Sequence, residues 1–110
     1  MLVVDDDARL AEITARSLRR FGFDANSSSQ VRALRDGEVL VFDLGLLPSL
    51  DPAARESVRA AKPIIVTGAT DAAGRALAES LGATHYLVKP IELEELAAAI
   101  RSRVGEAPEG

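Results

Sequence analysis

Five polar residues spread along the chain carry the functional groups that divalent-cation and phosphoryl chemistry require. Three are acidic, Asp5, Asp6 and Asp43; the others supply the hydroxyl of Thr67 and the ammonium of Lys89. Carboxylate oxygens suit Mg²⁺, which prefers an octahedral shell completed by water and phosphate. A carboxylate can also accept a phosphoryl group when a metal, an amine and a hydrogen-bond donor neutralise the phosphoryl oxygens. The residue types therefore predict phosphorylation of Asp43, if the fold brings the five side chains together.

Four of these residues stand where short apolar runs end. Runs at 2–4, 39–42, 64–66 and 86–88 are followed by Asp5, Asp43, Thr67 and Lys89, respectively. The runs are rich in β-branched residues and lack polar alternation, which is typical of strands buried on both faces. Since the carboxyl ends of parallel strands meet at one crevice, we expect the four side chains to lie close together.

Helical patterns alternate with the strands. The first spans 7–21, with Asp7 as the cap and Gly22 at the end; shorter helices are expected over 29–36 and from near Pro52, and a weak strand over 23–27. The apolar faces predicted for the first and the last two helices are Leu10, Ile13, Leu18 and Phe21; Ala73, Ala76, Leu77 and Ser80; and Leu93, Leu96, Ala97, Ile100 and Val104. This order predicts a flavodoxin-like three-layer α/β domain, a five-stranded parallel sheet in the order 2-1-3-4-5 with five helices.

Composition narrows the possible function classes. The chain has 110 residues, 47% hydrophobic and 27% charged, which fits one globular domain, expected at 1–104 with a tail or linker stump at 105–110. A net charge of −4 gives no support to nucleic-acid or membrane binding by this domain alone. Cysteine is absent, and neither a signal peptide nor a long apolar run is evident, so we expect a cytoplasmic protein.

The motifs around these residues resemble the receiver domain of two-component response regulators, the CheY-like superfamily. The resemblance rests on the segments at 3–7, 41–44 with Leu47-Pro48, 65–68 and 86–90, and it covers nearly the whole chain. It implies that Asp5 and Asp6 hold Mg²⁺, or alternatively Mn²⁺, and that Asp43 is both metal ligand and phosphoacceptor.

The resemblance also assigns roles to the remaining site residues. Gly45 would offer its backbone carbonyl to the metal, Thr67 would bond the phosphoryl group, and Lys89 would pair with a phosphoryl oxygen. The Lys89–Pro90 peptide bond is expected to be cis, and Tyr86 takes the position of an aromatic side chain that changes rotamer together with the threonine. Thr67 and Tyr86 would thus form the output switch.

The resemblance implies signalling rather than conventional enzymology. Such a domain catalyses its own aspartyl phosphorylation and dephosphorylation, and it receives the phosphoryl group from a sensor histidine kinase or a phosphotransfer protein. Transcription regulation is one output that the resemblance implies. We expect either a monomer or a weak homodimer through the last strand and the last two helices. The charged residues available for cross-subunit pairs there are Arg75, Glu79, Glu92, Glu95, Arg101 and Arg103.

Several features depart from the family pattern and leave alternatives open. The intervals before and after Asp43 are short, which predicts stunted second and third helices, and Pro52 stands where glycine is usual. Gly45 and Ala69 have no side chain able to shield or orient water. The alternative function is a pseudo-receiver, an interaction module that signals without phosphorylation.

A second motif imitates the cofactor loop of short-chain dehydrogenases. Residues 67–74 resemble the glycine-rich Thr-Gly-x-x-x-Gly-x-Gly pattern, with Ala72 in place of one glycine. Only residues 75–110 follow it, too few for the remaining strands and the catalytic residues of such an enzyme.

Overall fold

A computed structural model describes residues 1–31, 34, 38–68 and 72–105, with side chains as far as Arg103. The strands are β1 (Leu2–Val4), β2 (Asn26–Ser28), β3 (Leu40–Asp43), β4 (Ile64–Thr67) and β5 (His85–Val88). The α-helices in the described part are α1 (Ala8–Arg20), α2 (Pro52–Ala60), α3 (Ala72–Ser80) and α4 (Leu93–Gly105), and a 3₁₀ helix spans Leu44–Ser49.

The five strands form one parallel sheet in the order β2-β1-β3-β4-β5, which confirms the predicted topology. Asp43 is the last residue of β3 and pairs in register with Val66, one residue before the end of β4. Thr67 in turn pairs with Val88, the residue before Lys89. The carboxyl ends of β3, β4 and β5 are thereby level with one another.

Helices cover both faces of the sheet and create two separate apolar cores. On one face, α1 and α4 pack over Val3, Val41, Ile64 and Val66. On the other, α2, α3 and the 3₁₀ helix pack over the fully buried Phe42 and its neighbours Leu2, Val4, Leu40 and Ile65. The continuous apolar runs are therefore explained by burial on both faces, as predicted.

The ends of α1 match the sequence signals. The Asp7 side chain accepts hydrogen bonds from the backbone N–H groups of Arg9 and Leu10, at 3.0 and 3.2 Å. Gly22 follows the helix with φ +94°, in the left-handed region that favours glycine. Asp7 as the cap and Gly22 as the terminator are both confirmed.

The predicted apolar face of α1 is partly wrong. Leu10 and Ile13 are 38% and 51% exposed, whereas Ala11, Ala15 and Leu18 are buried against the sheet. Alanines at i and i+4 let the helix approach the valine-rich sheet closely, so the larger side chains are left outward. The prediction for Leu18 is confirmed.

The predicted face of α3 is wrong. Ala73, Ala76 and Ser80 are exposed, and Leu77 is 46% exposed. Their places at the sheet are taken by small residues one position away, Gly74 and Ala78. Leu77 therefore contributes an exposed apolar side chain to the surface of the domain.

The remaining predicted elements are met in part. The helix expected near Pro52 is α2, with Asp51 as its cap; the strand expected over 23–27 lies at Asn26–Ser28. In α4, Leu96, Ala97 and Ile100 are buried as predicted, and the Val104 side chain lies outside the described part. The helix expected over 29–36 and the tail fall largely outside the described residues.

None of the helices in the described part of the chain is both long enough and apolar enough to cross a membrane.

Candidate functional site

The carboxyl edge of the sheet brings together the acidic residues singled out in the sequence. Asp5 follows β1 directly, and Asp43 closes β3; both are buried, whereas Asp6 is exposed. One carboxylate oxygen from each of the three lies within 4.8 Å of the others. Three carboxylates so close together repel one another unless a cation lies between or beside them.

Lys89 supplies one such cation from the end of β5. Its Nζ lies 3.2 Å from Asp5 Oδ2, where it donates a hydrogen bond, and 3.6 Å from Asp43 Oδ2. The ammonium thus reaches both carboxylates from the far side of β4. The peptide bond between Lys89 and Pro90 is cis.

Backbone N–H groups hold the two buried carboxylates in place. Gly45 N–H donates to Asp43 Oδ1 at 3.2 Å, and Asp7 N–H donates to Asp5 Oδ1 at 3.0 Å. Each carboxylate therefore offers one oxygen to the backbone and turns the other toward Lys89. Neither N–H contact was predicted from the sequence; the two-residue spacing of a turn that follows an aspartate is the signal that indicates them.

The two buried carboxylates have pKa values shifted in opposite directions. For Asp43, burial and the neighbouring Asp5 charge outweigh Gly45 N–H and Lys89, so its pKa lies above the ordinary value. For Asp5, burial also raises the pKa, but the Asp7 N–H, Asp6 and Lys89 together outweigh it and bring the pKa below the ordinary value. Asp5 is therefore the carboxylate that holds its charge more firmly.

Thr67 and Tyr86 lie farther along the same edge. Thr67 is buried at the end of β4, and its carbonyl accepts a hydrogen bond from Lys89 N–H at 2.7 Å. Tyr86 lies two residues before the end of β5, half-buried on the side of the sheet covered by α2 and α3. The structure brings Asp5, Asp6, Asp43 and Lys89 into one cluster, and places Thr67 in the adjoining strand.

The ring of Tyr86 has a cationic neighbour that the sequence analysis did not find. The guanidinium carbon of Arg75 lies 5.3 Å from the ring centroid, within the range of a cation–π contact. No local pattern indicates this pair, because it depends on how α3 crosses the edge of β5.

The donor set fits a hard divalent cation. It consists of carboxylate oxygens without nitrogen or sulfur ligands, which is the set that Mg²⁺ and Mn²⁺ prefer. Two of the three carboxylates are buried at a sheet edge where parallel-sheet proteins bind ligands.

Sequence comparison adds a family to this geometry. No protein-family model matches the chain. It is 36% identical over 114 aligned positions to the DNA-binding response regulator MtrA of Mycobacterium tuberculosis strain H37Rv, an alignment that takes in 94% of this chain and 50% of that protein. A solved signal receiver domain of a response regulator from Bermanella marisrubri matches with a TM-score of 0.66 at 27% identity, over 92% of this chain and 93% of that one.

This chain belongs to the response regulator receiver domains. The receiver domain spans about half the length of the curated MtrA relatives it matches. A third match, at 24% identity and TM-score 0.67 over 96% of this chain and 68% of that one, is a Burkholderia pseudomallei response regulator solved with a phosphorylated aspartic acid and a calcium ion. At that identity the match bears on the fold alone.

Proposed function

We propose that this receiver domain accepts a phosphoryl group on Asp43 from a histidine kinase or a phosphotransfer protein. The observation that carries the proposal is Asp43 itself, a buried carboxylate at the end of β3 whose Oδ2 lies 3.6 Å from Lys89 Nζ. Its acidic neighbours Asp5 and Asp6 lie within the same small cluster. A nucleophile, a counter-charge and a set of oxygen ligands are thus combined at one point.

The transfer is a displacement at phosphorus. An Asp43 oxygen forms the new P–O bond while the P–N bond to the donor's histidine breaks, and that electron pair returns to the imidazole nitrogen. We propose that the Lys89 ammonium stabilises the negative charge on the phosphoryl oxygens during transfer, since its Nζ already faces Asp43. The Gly45 N–H keeps the second Asp43 oxygen in place during attack.

Asp5, Asp6 and Asp43 would hold Mg²⁺, with the Gly45 carbonyl as a further proposed ligand; Mn²⁺ would suit the same donors. When bound, the metal neutralises negative charge shared between the carboxylates and the incoming phosphoryl group. Asp5 suits this task because its lowered pKa keeps it ionised. Hydrolysis of the aspartyl phosphate at the same centre would end the signal.

A phosphoryl group on Asp43 carries nearly two negative charges, and we propose that Thr67 and Tyr86 respond to these charges. The Thr67 hydroxyl would be drawn to the phosphoryl group, and Tyr86 would follow into the space so released. Arg75 lies over the Tyr86 ring, so this movement would reach α3. The surface formed by α3, β5 and α4 is then the proposed output and dimer face. We also propose that the protein acts in the cytoplasm and regulates transcription.

Intact-mass spectrometry tests the phosphorylation directly. The domain is incubated with acetyl phosphate and Mg²⁺, beside Asp43→Asn, an EDTA control and the matched variant Asp51→Asn, whose aspartate caps α2. We expect one added phosphoryl group in the parent and in Asp51→Asn, and none in the other two. A folded parent that gains no phosphoryl group and does not bind beryllofluoride would contradict the proposal and favour a phosphorylation-independent interaction module.

A further inference from the structure

A cavity of about 530 Å³ lies between α1 and α4, on the face of the sheet opposite Phe42. Its lining is mostly aliphatic, from the strands below and the two helices at the sides, and at one end it reaches the acidic cluster. The lining residues are Val3, Val4, Asp5, Leu10, Thr14, Val41, Asp43, Val66, Lys89, Pro90, Ile91 and Leu96. None of the functions proposed for Asp43 uses this apolar space.

The cavity follows from the way α1 packs. The helix turns Ala11 and Ala15 to the sheet, while Leu10 and Ile13 stay substantially exposed. The helices almost cover Val41 and Val66 below, so the open part of the cavity lies beside Leu10 of α1 and the Pro90–Ile91 segment after β5. Small-molecule sites are commonly clefts of roughly 300–1,000 Å³, the range into which this one falls.

The polar end of the cavity sets the charge of a ligand. Asp5 and Asp43 line it, Asp6 belongs to the same cluster, and Lys89 is the lining residue with a positive charge. Carboxylates outnumber the ammonium, so this end attracts a cationic group and repels an anionic one.

We propose that this cavity binds a small amphiphilic amine, with its apolar body between α1 and α4 and its ammonium group at Asp5 and Asp43. The apolar body is recognised by the accessible side chains of Leu10, Pro90 and Ile91, with the buried valines of β1, β3 and β4 beneath them. A bound amine would occupy the approach to Asp43 and thereby compete with divalent cations. Binding itself does not depend on the proposed phosphorylation; a regulatory effect on phosphorylation does.

Three probes that share one apolar body and differ in their polar group separate the contributions of charge and of apolar contact to binding. Phenylbutylamine, phenylbutanol and phenylbutyrate are titrated into the ¹⁵N/¹³C-labelled domain in EDTA, and methyl shifts of Val3, Val41 and Leu96 are followed. We expect saturable binding of the amine, about tenfold weaker binding of the alcohol and still weaker binding of the carboxylate. Millimolar Mg²⁺ should weaken binding of the amine and leave binding of the alcohol unchanged.

A matched pair of variants on α1 tests the location. Thr14→Phe places a ring in the cavity wall, whereas Ile13→Phe adds a similar ring at a neighbouring position that is 51% exposed and outside the lining. With both variants shown folded by circular dichroism, we expect amine affinity to fall at least about tenfold in Thr14→Phe and to persist in Ile13→Phe.

Two results would overturn the proposal. One is the absence of saturable methyl shifts with all three probes, and the other is equal binding of the amine and the carboxylate. Either leaves the proposed phosphorylation untouched, because no phosphodonor is present. Conversely, amine binding to a domain that takes up no phosphoryl group would support the cavity site alone.

Discussion

Asp43 carries its negative charge in a place that disfavours it, buried and close to the charge of Asp5. Its pKa is raised in the folded protein, so the protonated form stabilises the fold and that stability is lost as pH rises through the folded-state pKa. We predict that Asp43→Asn unfolds at a higher temperature than the parent near neutral pH in EDTA. The gain should shrink as pH falls below the ordinary aspartate range, where both proteins are neutral at this position.

Thermal unfolding by circular dichroism across this pH range measures the effect. Asp51→Asn serves as the control, because Asp51 is exposed and asparagine can accept the same capping bond from Ala54 N–H, so this variant should unfold close to the parent. Equal melting temperatures of the parent and Asp43→Asn at neutral pH would show that the buried Asp43 charge does not destabilise the fold.

Asp5 titrates with the opposite sign. Its lowered pKa means that the ionised carboxylate stabilises the fold above the ordinary aspartate pKa, and this stability is lost as pH falls through the folded-state value. We predict that Asp5→Asn is destabilising in EDTA near neutral pH, and that the deficit disappears in acid. A deficit that persists unchanged in acid would show that the Asp5 charge is not its cause.

At the scale of single elements, α3 shows how small residues decide which side of a helix is buried. Ala78 lies 1% exposed against the sheet, and its neighbour Leu77 is 46% exposed. We predict that Ala78→Asp destabilises the domain by about 3 kcal/mol, because it buries an unpaired charge, and that Leu77→Asp changes stability by less than about 0.5 kcal/mol.

Urea denaturation of the two variants separates these outcomes. They introduce the same residue at adjacent positions of one helix, so helix propensity and net charge are closely matched. If Leu77→Asp were instead the less stable variant, the buried face of α3 would be the one predicted from Ala73, Ala76 and Leu77.

The turn between α2 and β4 contains a strained residue. Lys62 has φ +49°, in the left-handed region that non-glycine residues seldom adopt, and it follows Ala61, the residue that caps the end of α2. We predict that Lys62→Gly raises the free energy of unfolding by about 0.5 kcal/mol, since the relief of strain exceeds the entropy that glycine loses. Ala61→Gly, at φ −75°, should instead lower it. Urea denaturation checks both, and a less stable Lys62→Gly would contradict the reasoning.

At the scale of the whole molecule, ligand binding and folding are linked. If the three carboxylates hold Mg²⁺ only when folded, we predict that the cation stabilises the domain by about 1.4 kcal/mol at a concentration about tenfold above its Kd. Asp43→Asn, which lacks one ligand, should gain less from the same Mg²⁺. Calorimetric scans with and without Mg²⁺ measure the difference. Equal stabilisation of both proteins by Mg²⁺ would show that Asp43 is not a ligand of the metal.

The sheet was predictable because its signals are local. Apolar runs such as the one before Asp43 need burial on both faces, and a polar residue at the end of each run indicates the crevice. Helix faces were less predictable: a pattern of large apolar residues pointed to Leu10 and Leu77, but Ala11 and Ala78 fit the sheet more closely. The Arg75–Tyr86 contact was out of reach, because it depends on a packing angle that the sequence does not show.

The two edges of the sheet differ in character. The edge at β2 consists of three polar residues, Asn26, Ser27 and Ser28, and the Ser27 hydroxyl is tied back to Glu12 of α1. The edge at β5 is longer, and its last residue, the aliphatic Val88, is 37% exposed, whereas Leu87 is buried in the core. If two molecules associate through a sheet edge, we predict pairing of two β5 strands rather than two β2 strands, because the β5 edge is the longer and less polar one.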